Sequence, residues 1–298
     1  MKKIILYKIF LLAVISISCG NHNNSERDHV ALDSMRIQKV YKIDTLILEA
    51  VIPKDAQPEL CKNFMDIINK VYFYGQFDGK YSNPRMLLTA CADSCYDGFV
   101  KDREDPNYGK EEGVLIERYI KKVYETDKVI TFLFYHHSNT ANGYYVDYTE
   151  YGVTFRKDNG RIIDIPSLLN EAFVGAEWQN YVKLQLKRYW EIPTGKEIQN
   201  LLEAMGRRVE SISECDRFSN LMLNDHLRQG NDFIELDVNI QDIPMPKYGM
   251  YLTVGGLVFN YQNGELCHPI EGLPNVVMPY SVLEGFLNDK GKQLLLCK

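Results

Sequence analysis

The stretch Val129-Ile-Thr-Phe-Leu-Phe-Tyr-His-His137 decides the fold. Ile130, Phe132 and Phe134 fall on one face of it, the two-residue period of a strand with one side turned to a core. Before it, Val114 to Tyr124 forms a first strand-like segment, and after it Tyr144 to Phe155 forms a third. Asp158-Asn159-Gly160 is a tight-turn sequence that reverses the chain into Ile162 to Ile165. Consecutive strands with short connections make an antiparallel meander.

Working outward, the flanks are helical. Val40 to Ile52 is one long strand ended by Pro53, and Leu60, Phe64, Ile67, Ile68, Val71 and Tyr72 follow at helical spacing. Asn83-Pro84 supplies a cap and a first-turn proline for a second helix striped by Leu88, Cys91, Cys95 and Phe99. Beyond the meander, Leu168, Leu169, Ala172 and Phe173 mark a short helix, and Trp178, Val182, Gln185, Leu186 and Tyr189 another. Thr194 and Glu197 have capping-box spacing ahead of Ile198, Leu201, Leu202 and Met205. A helix over Phe218 to Leu227 comes next. Strands follow over Phe233 to Ile240 and Met250 to Tyr261, the latter carrying Gly255-Gly256 as a bulge. Asn263-Gly264 marks a turn, and Val282, Leu283, Phe286 and Leu287 form a last helix after Pro279. Segregated runs of strands and helices predict an α+β fold: a mainly antiparallel sheet with helices packed on it. The expected organisation is two sequential α+β subdomains, 39–160 and 161–298.

The N-terminus predicts the compartment. Lys2 and Lys3 precede an apolar run from Ile4 to Ile17, and Ser16-Ile17-Ser18 lead into Cys19. A basic start, a short apolar core and small residues before a cut define a secretory signal. With Cys19 as the first mature residue, residues 1–18 are a lipoprotein signal peptide and Cys19 is the lipidation site. The polar segment that follows lacks apolar periodicity, so residues 19–38 are expected to form a flexible tether. The expected location is the cell envelope, anchored to a membrane through lipid at the periplasmic face or the cell surface.

The chain has 298 residues, 45% hydrophobic and 25% charged, with net charge -6, ordinary values for a globular protein. No basic stretch with interleaved aromatics provides a nucleic-acid footprint. Besides Cys19 there are six cysteines: Cys61, Cys91, Cys95, Cys215, Cys267 and Cys297. An even number in an exported protein makes each a candidate disulfide half, with buried thiols as the alternative. Cys91 and Cys95 are not paired with each other. Four apart on a helix, their Cβ atoms lie ~5–6 Å apart, against the ~3.8 Å of a disulfide.

Two segments resemble the extracellular domain of RsiV-type anti-sigma factors, an arrangement also found with a PdaC-type accessory domain. The first is Tyr135-His136-His137-Ser138-Asn139-Thr140-Ala141-Asn142-Gly143, followed by Val153-Thr154-Phe155 and Gly160 to Leu169. The second is Gly256 to Tyr261, then Gly272 and Val277-Met278-Pro279-Tyr280-Ser281-Val282-Leu283. The resemblance spans about Val40 to Leu287. It implies a PdaC-like first subdomain and an RsiV-like second one, in an exported envelope domain that in some relatives binds lysozyme. Relatives with deacetylase activity carry it on a separate catalytic domain, which has no counterpart here. This chain has His-His-Ser-Asn-Thr-Ala-Asn-Gly where the family often has Gly-Gly-Ala-His, and it lacks the Pro-Tyr-Glu-Ile run.

No residues present a catalytic or metal-binding pattern, and no cofactor is implied. His136 and His137 are neighbours on a strand, so their side chains point to opposite faces. Cys267-His268 with Glu271 contains nucleophile and base types, but adjacent residues rarely reach the needed geometry. Tyr144, Tyr145, Tyr148 and Tyr151 cluster in one strand region, suited to cross-strand packing or to contact with protein or glycan. The ligand-binding candidates are His136, His137, Asn139, Asn142, Tyr144 and Tyr145, at a loop carried on rigid strands. The expected partner is an envelope protein or a peptidoglycan-type glycan. An envelope-polymer hydrolase or deacetylase is the alternative, and it requires His136 or His137, His268 and Asp147 to converge.

Overall fold

A computed structural model describes residues 29–298 except 78–79, 106–112, 141–145, 171–172, 174, 208–210, 229–242, 247–248, 263–264, 267–273 and 297–298. The fold is α+β. Strands β1 (Leu32–Tyr41), β2 (Asp44–Pro53), β3 (Val114–Glu125), β4 (Val129–Thr140) and β5 (Val146–Arg156) form one sheet in that order. All neighbours are antiparallel except β2 and β3. The helices α1 (Pro58–Phe73) and α2 (Pro84–Glu104) link that parallel pair, because parallel strands need a long crossover.

Both helices cover one face of the sheet. The strict alternation of β2 buries Leu46, Leu48, Ala50 and Ile52. Cross-strand register then places Arg118 and Ile120 of β3, and Phe132, Phe134 and His136 of β4, on the same side. Phe64 of α1 meets Phe132 and Phe134 at ring separations of 4.9 and 5.3 Å. Asn83 caps α2 as its sequence predicts, its side chain accepting from the Met86 N–H at 2.9 Å.

The second half builds its own core. Helices α3 (Ala176–Tyr189), α4 (Gly195–Ala204) and α5 (Ile212–Arg228) precede an antiparallel sheet of β6 (Met250–Thr253), β7 (Gly256–Asn260) and β8 (Asn275–Met278). Short helices α6 (Tyr280–Leu283) and α7 (Asp289–Leu295) close the chain. Trp178 sits between Phe173 and Phe259, with ring separations of 4.9 and 4.5 Å. The Thr194–Glu197 capping box is formed. No helix among the described residues is long and apolar enough to cross a membrane.

Several expectations are corrected. The long first strand is a hairpin: Lys42 turns the chain with φ 55, and β1 begins at Leu32. Residues 32–38 are therefore sheet rather than tether, while residues 1–28, Cys19 among them, lie outside the described residues. Lys42-Ile43 has no glycine or asparagine to announce a turn. Long-range pairing holds it instead, since Asp44 is buried against Arg103 of α2 at 2.6 Å and accepts from the Val114 N–H. Ile162 to Ile165 is not a strand. Ile162 makes a single bridge to Phe155, and Ile165–Leu168 is a 3-10 turn. Gly255-Gly256 is not a bulge inside one strand: Val254-Gly255 is the β6–β7 turn, and Gly256, at φ 139, opens β7 opposite Thr253. The strand expected over Phe233 to Ile240 lies outside the described residues.

Candidate ligand-binding face

The opposite face of the five-stranded sheet carries a different set of side chains. Glu117, Tyr119 and Lys121 of β3 alternate with the buried Arg118 and Ile120. Register brings Tyr135 beside Tyr119, and His137 beside Glu117. On β5 it brings Glu150 beside Tyr135, and Tyr148 beside His137. None of these is fully buried. This face holds a cavity of about 410 Å³ lined by Glu117, Tyr119, Lys121, Leu133, Tyr135 and Glu150.

Three tyrosines run across the strands. Tyr119 and Tyr135 rings are 5.6 Å apart and tilted, and Tyr135 and Tyr148 are 5.0 Å apart and edge to face. Such pairs hold one another rigid. Burial, and after it the neighbouring Glu117, pushes the Tyr119 phenol up to about 12. Burial also raises Tyr135 and Tyr148. All three remain hydroxyls at neutral pH.

Two carboxylates flank the rings, and each is already an acceptor. Glu117 takes the Tyr119 hydroxyl at 2.8 Å and pairs with His137 Nδ1 at 3.1 Å. Glu150 takes the Tyr251 hydroxyl at 2.8 Å and Asn260 Nδ2 at 3.3 Å. The second sheet thus anchors Glu150: Tyr251 and Asn260 belong to β6 and β7. Lys121 Nζ lies 5.4 Å from the Tyr119 ring centre, a cation over a π face.

The adjacent histidines separate, as alternation requires. His137 joins this face. His136 is buried on the helix side, with Arg118 Nε donating to its Nδ1 at 3.3 Å and its Nε2 3.6 Å from Asp147. That pairing holds the Asp147 carboxyl below its ordinary range. His136 is therefore not a surface contact. Asn139 sits near the end of β4, half-buried. Asn142, Tyr144, Tyr145 and His268 lie outside the described residues. His136 and Asp147 meet but His137 faces away, and among the described residues no three His, Cys, Asp or Glu side chains gather to hold a metal.

Glu117, Tyr119, Tyr135 and Glu150 were not singled out by sequence pattern. Polar and aromatic residues alternating with Ile116, Arg118 and Ile120 are the signal that marks them. Tyr148 and Tyr151, clustered in sequence, part company: Tyr148 lies on the tyrosine face against Tyr135, and Tyr151 pairs with Phe134 on the helix side. The disulfide expectation is corrected for four cysteines. Cys61, Cys91, Cys95 and Cys215 are free thiols. Cys61 Sγ is 3.7 Å from the Ala56 carbonyl, and Cys91 is held by Arg118. Cys267 and Cys297 lie outside the described residues.

A larger cavity, about 610 Å³, opens beside the N-terminal arm between Val30, Asp55, Lys128 and Arg156. Its charges serve structure. Lys157 is bound to Glu125 at 3.1 Å, and Arg156 is paired with Asp158.

No family model and no curated protein matches the chain. Solved structures do. A crystal structure of a DUF3298 family member from Bacteroides fragilis superposes with TM-score 0.52 at 12% identity, covering 89% of this chain and 96% of that one. The fold is similar to that of a DUF3298 protein. A DUF3298 family protein from Pseudomonas aeruginosa gives TM-score 0.48 at 10% identity, over 88% of this chain and 96% of that one. At these identities the likeness is one of fold alone. The two segments that resemble the RsiV-type domain do not share a sheet: the first forms β4 and β5, the second β7, β8 and α6.

Proposed function

We propose that this chain is an exported lipoprotein whose folded body binds a wall glycan on the tyrosine face. The observation that carries the binding reading is the row Tyr119, Tyr135 and Tyr148 flanked by Glu117 and Glu150 on an open sheet face. Sugar rings present apolar C–H faces and a fringe of hydroxyl donors. Tyrosine rings suit the first, and anchored carboxylates suit the second. The export reading rests on Lys2, Lys3, the apolar run and Cys19.

Binding fits this face better than hydrolysis does. Glycoside cleavage needs one carboxyl held protonated as an acid. Here both carboxyl groups are already engaged by neighbouring side chains, Glu117 by Tyr119 and His137 and Glu150 by Tyr251 and Asn260, which ties each to the wall of the face rather than to a scissile bond.

A second reading, a protein ligand such as lysozyme, draws on the resemblance to the RsiV-type extracellular domain. One titration separates the two. Soluble protein lacking residues 1–19 is titrated calorimetrically with a peptidoglycan disaccharide–peptide fragment and, separately, with lysozyme. Saturable heat with the fragment that is lost in Tyr135→Ala supports the glycan reading. Heat with lysozyme alone moves the assignment to a protein partner, and release of reducing sugar would make the face catalytic.

A further inference from the structure

The cavity on the tyrosine face is lined from β3, β4 and β5, but the line of side chains through it continues. Arg36 of β1 lies opposite Glu49 of β2, Glu49 opposite Tyr119, Tyr119 opposite Tyr135, and Tyr135 opposite Glu150. Residues paired in register stand on the same side of a sheet. None of the five is fully buried. They make one continuous row across all five strands, ~19 Å long at ~4.8 Å per strand step. At one end the second sheet holds Glu150 through Tyr251 and Asn260. The other end, at Arg36, is the edge of the sheet.

We propose that the tyrosine face is an elongated site along this row, from Glu150 to Arg36, that takes an unbranched glycan of tetrasaccharide length or longer. The inference rests on the glycan reading above and adds the length of chain that is read. A disaccharide seated on Tyr119 and Tyr135 is too short to reach Arg36. A longer chain crosses β2 and β1 and meets new chemistry there.

That chemistry is open to a ligand. Arg36 Nε stands 3.3 Å from Glu49 Oε1, and 66% and 43% of the two side chains are exposed. A guanidinium has more donors, and a carboxylate more acceptor positions, than this one contact uses. The pair can therefore take sugar hydroxyls of both roles. Ile47 precedes Glu49 by two residues, is half-buried, and lies on the same side of β2. It adds an apolar floor for sugar C–H faces. Arg36 and Lys121 nearly balance Glu49, Glu117 and Glu150, so the face has no strong field to draw a polyanion or a polycation. A hydroxyl-rich, sparsely charged chain suits it.

The full chain, kept in a sugar-free detergent, is titrated calorimetrically with peptide-free peptidoglycan glycan strands: disaccharide, tetrasaccharide and hexasaccharide. The tetrasaccharide is expected to bind at least about tenfold tighter than the disaccharide, the effect of a few added hydrogen bonds to charged groups. The hexasaccharide should gain little more, because it overruns the row. A longer chain also gains by offering more registers to a short site. Arg36→Ala and Glu49→Gln separate the two causes: each is expected to remove most of the tetrasaccharide's advantage, whereas a gain from registers would survive both. An exposed ion pair contributes little to stability, so both variants fold. Equal affinity for disaccharide and tetrasaccharide, or an advantage that survives both substitutions, overturns the elongated site and leaves the glycan reading standing. No heat with any strand overturns both.

Discussion

Gly152 of β5 lies directly under the Tyr251 ring of β6, with no room for a Cβ between them. The contact sits where the two sheets meet. Tyr251 reaches Glu150 at 2.8 Å, and the Leu252 N–H donates to Thr154 Oγ1 at 3.1 Å. Gln262 Nε2 donates to the Glu150 carbonyl. One strand, β5, thus belongs to the first sheet, docks the second, and forms an edge of the tyrosine face.

Gly152→Ala is expected to destabilise the protein by about 1–3 kcal/mol, the usual cost of forcing a methyl into a filled contact. Thermal unfolding checks it. Combining it with Tyr251→Leu should recover part of the loss, because the smaller side chain vacates the position. Independent, additive losses would show that Tyr251 is not the clashing partner.

The tyrosine face gives a second prediction. Tyr135→Ala is expected to weaken binding of a peptidoglycan fragment by roughly tenfold or more, since a central aromatic contact contributes about 1–2 kcal/mol. Tyr135→Phe keeps the ring and should cost much less. Calorimetric titration of both variants distinguishes ring stacking from hydroxyl bonding. Equal losses would point to the hydroxyl.

The Asp44–Arg103 pair closes the β1–β2 turn with both side chains only 2% exposed. Arg103→Met leaves a buried carboxylate unpaired and is expected to cost about 3–5 kcal/mol. Adding Asp44→Leu should return a substantial part of that. Urea denaturation midpoints of the single and double variants decide it, and a double variant no better than the single would contradict the ion-pair account.

Glu125 predicts acid sensitivity. Burial opposes its charge, but Lys122, the Val30 N–H and Lys157 outweigh it and bring the carboxyl from 4.5 to about 2. A depressed folded-state value means the unfolded chain binds the proton first. The stabilisation is therefore complete above about pH 4.5 and is lost as pH falls through about 2. Wild type should lose on the order of 2 kcal/mol over that window from this group, and Glu125→Gln should show a shallower slope in urea midpoint between pH 5 and pH 2.5. Parallel slopes would remove Glu125 as the cause.

What was legible in the chain was what neighbours in sequence decide. The alternation of Val129 to His137 gave the strand and sent His136 and His137 to opposite faces. Asn83-Pro84 and Thr194 with Glu197 placed two helix starts, because a cap is satisfied within one turn. The run order of strands and helices gave α+β. The β1–β2 turn at Lys42-Ile43 was illegible, since its anchor, Arg103, lies 59 residues away from Asp44. β8 also escaped notice. It is four residues long, and its pairing with β7 crosses a loop that carries no strand pattern.

By itself, the sequence determined the periods, the caps and the order of elements, all consequences of bonds and clashes within a few residues. Only the tertiary structure decided that β2 lies parallel to β3, and so which residues became neighbours. Alternation says that Glu117, Tyr119 and Lys121 share a side, but not that Tyr135, Tyr148 and Glu150 complete it. The same alternation turns Arg118 inward without saying that Cys91 of α2 will meet it there. Side-chain period sets which residues face together. What they face is set by packing between elements far apart in the chain, where contacts are chosen by burial and register rather than by local geometry.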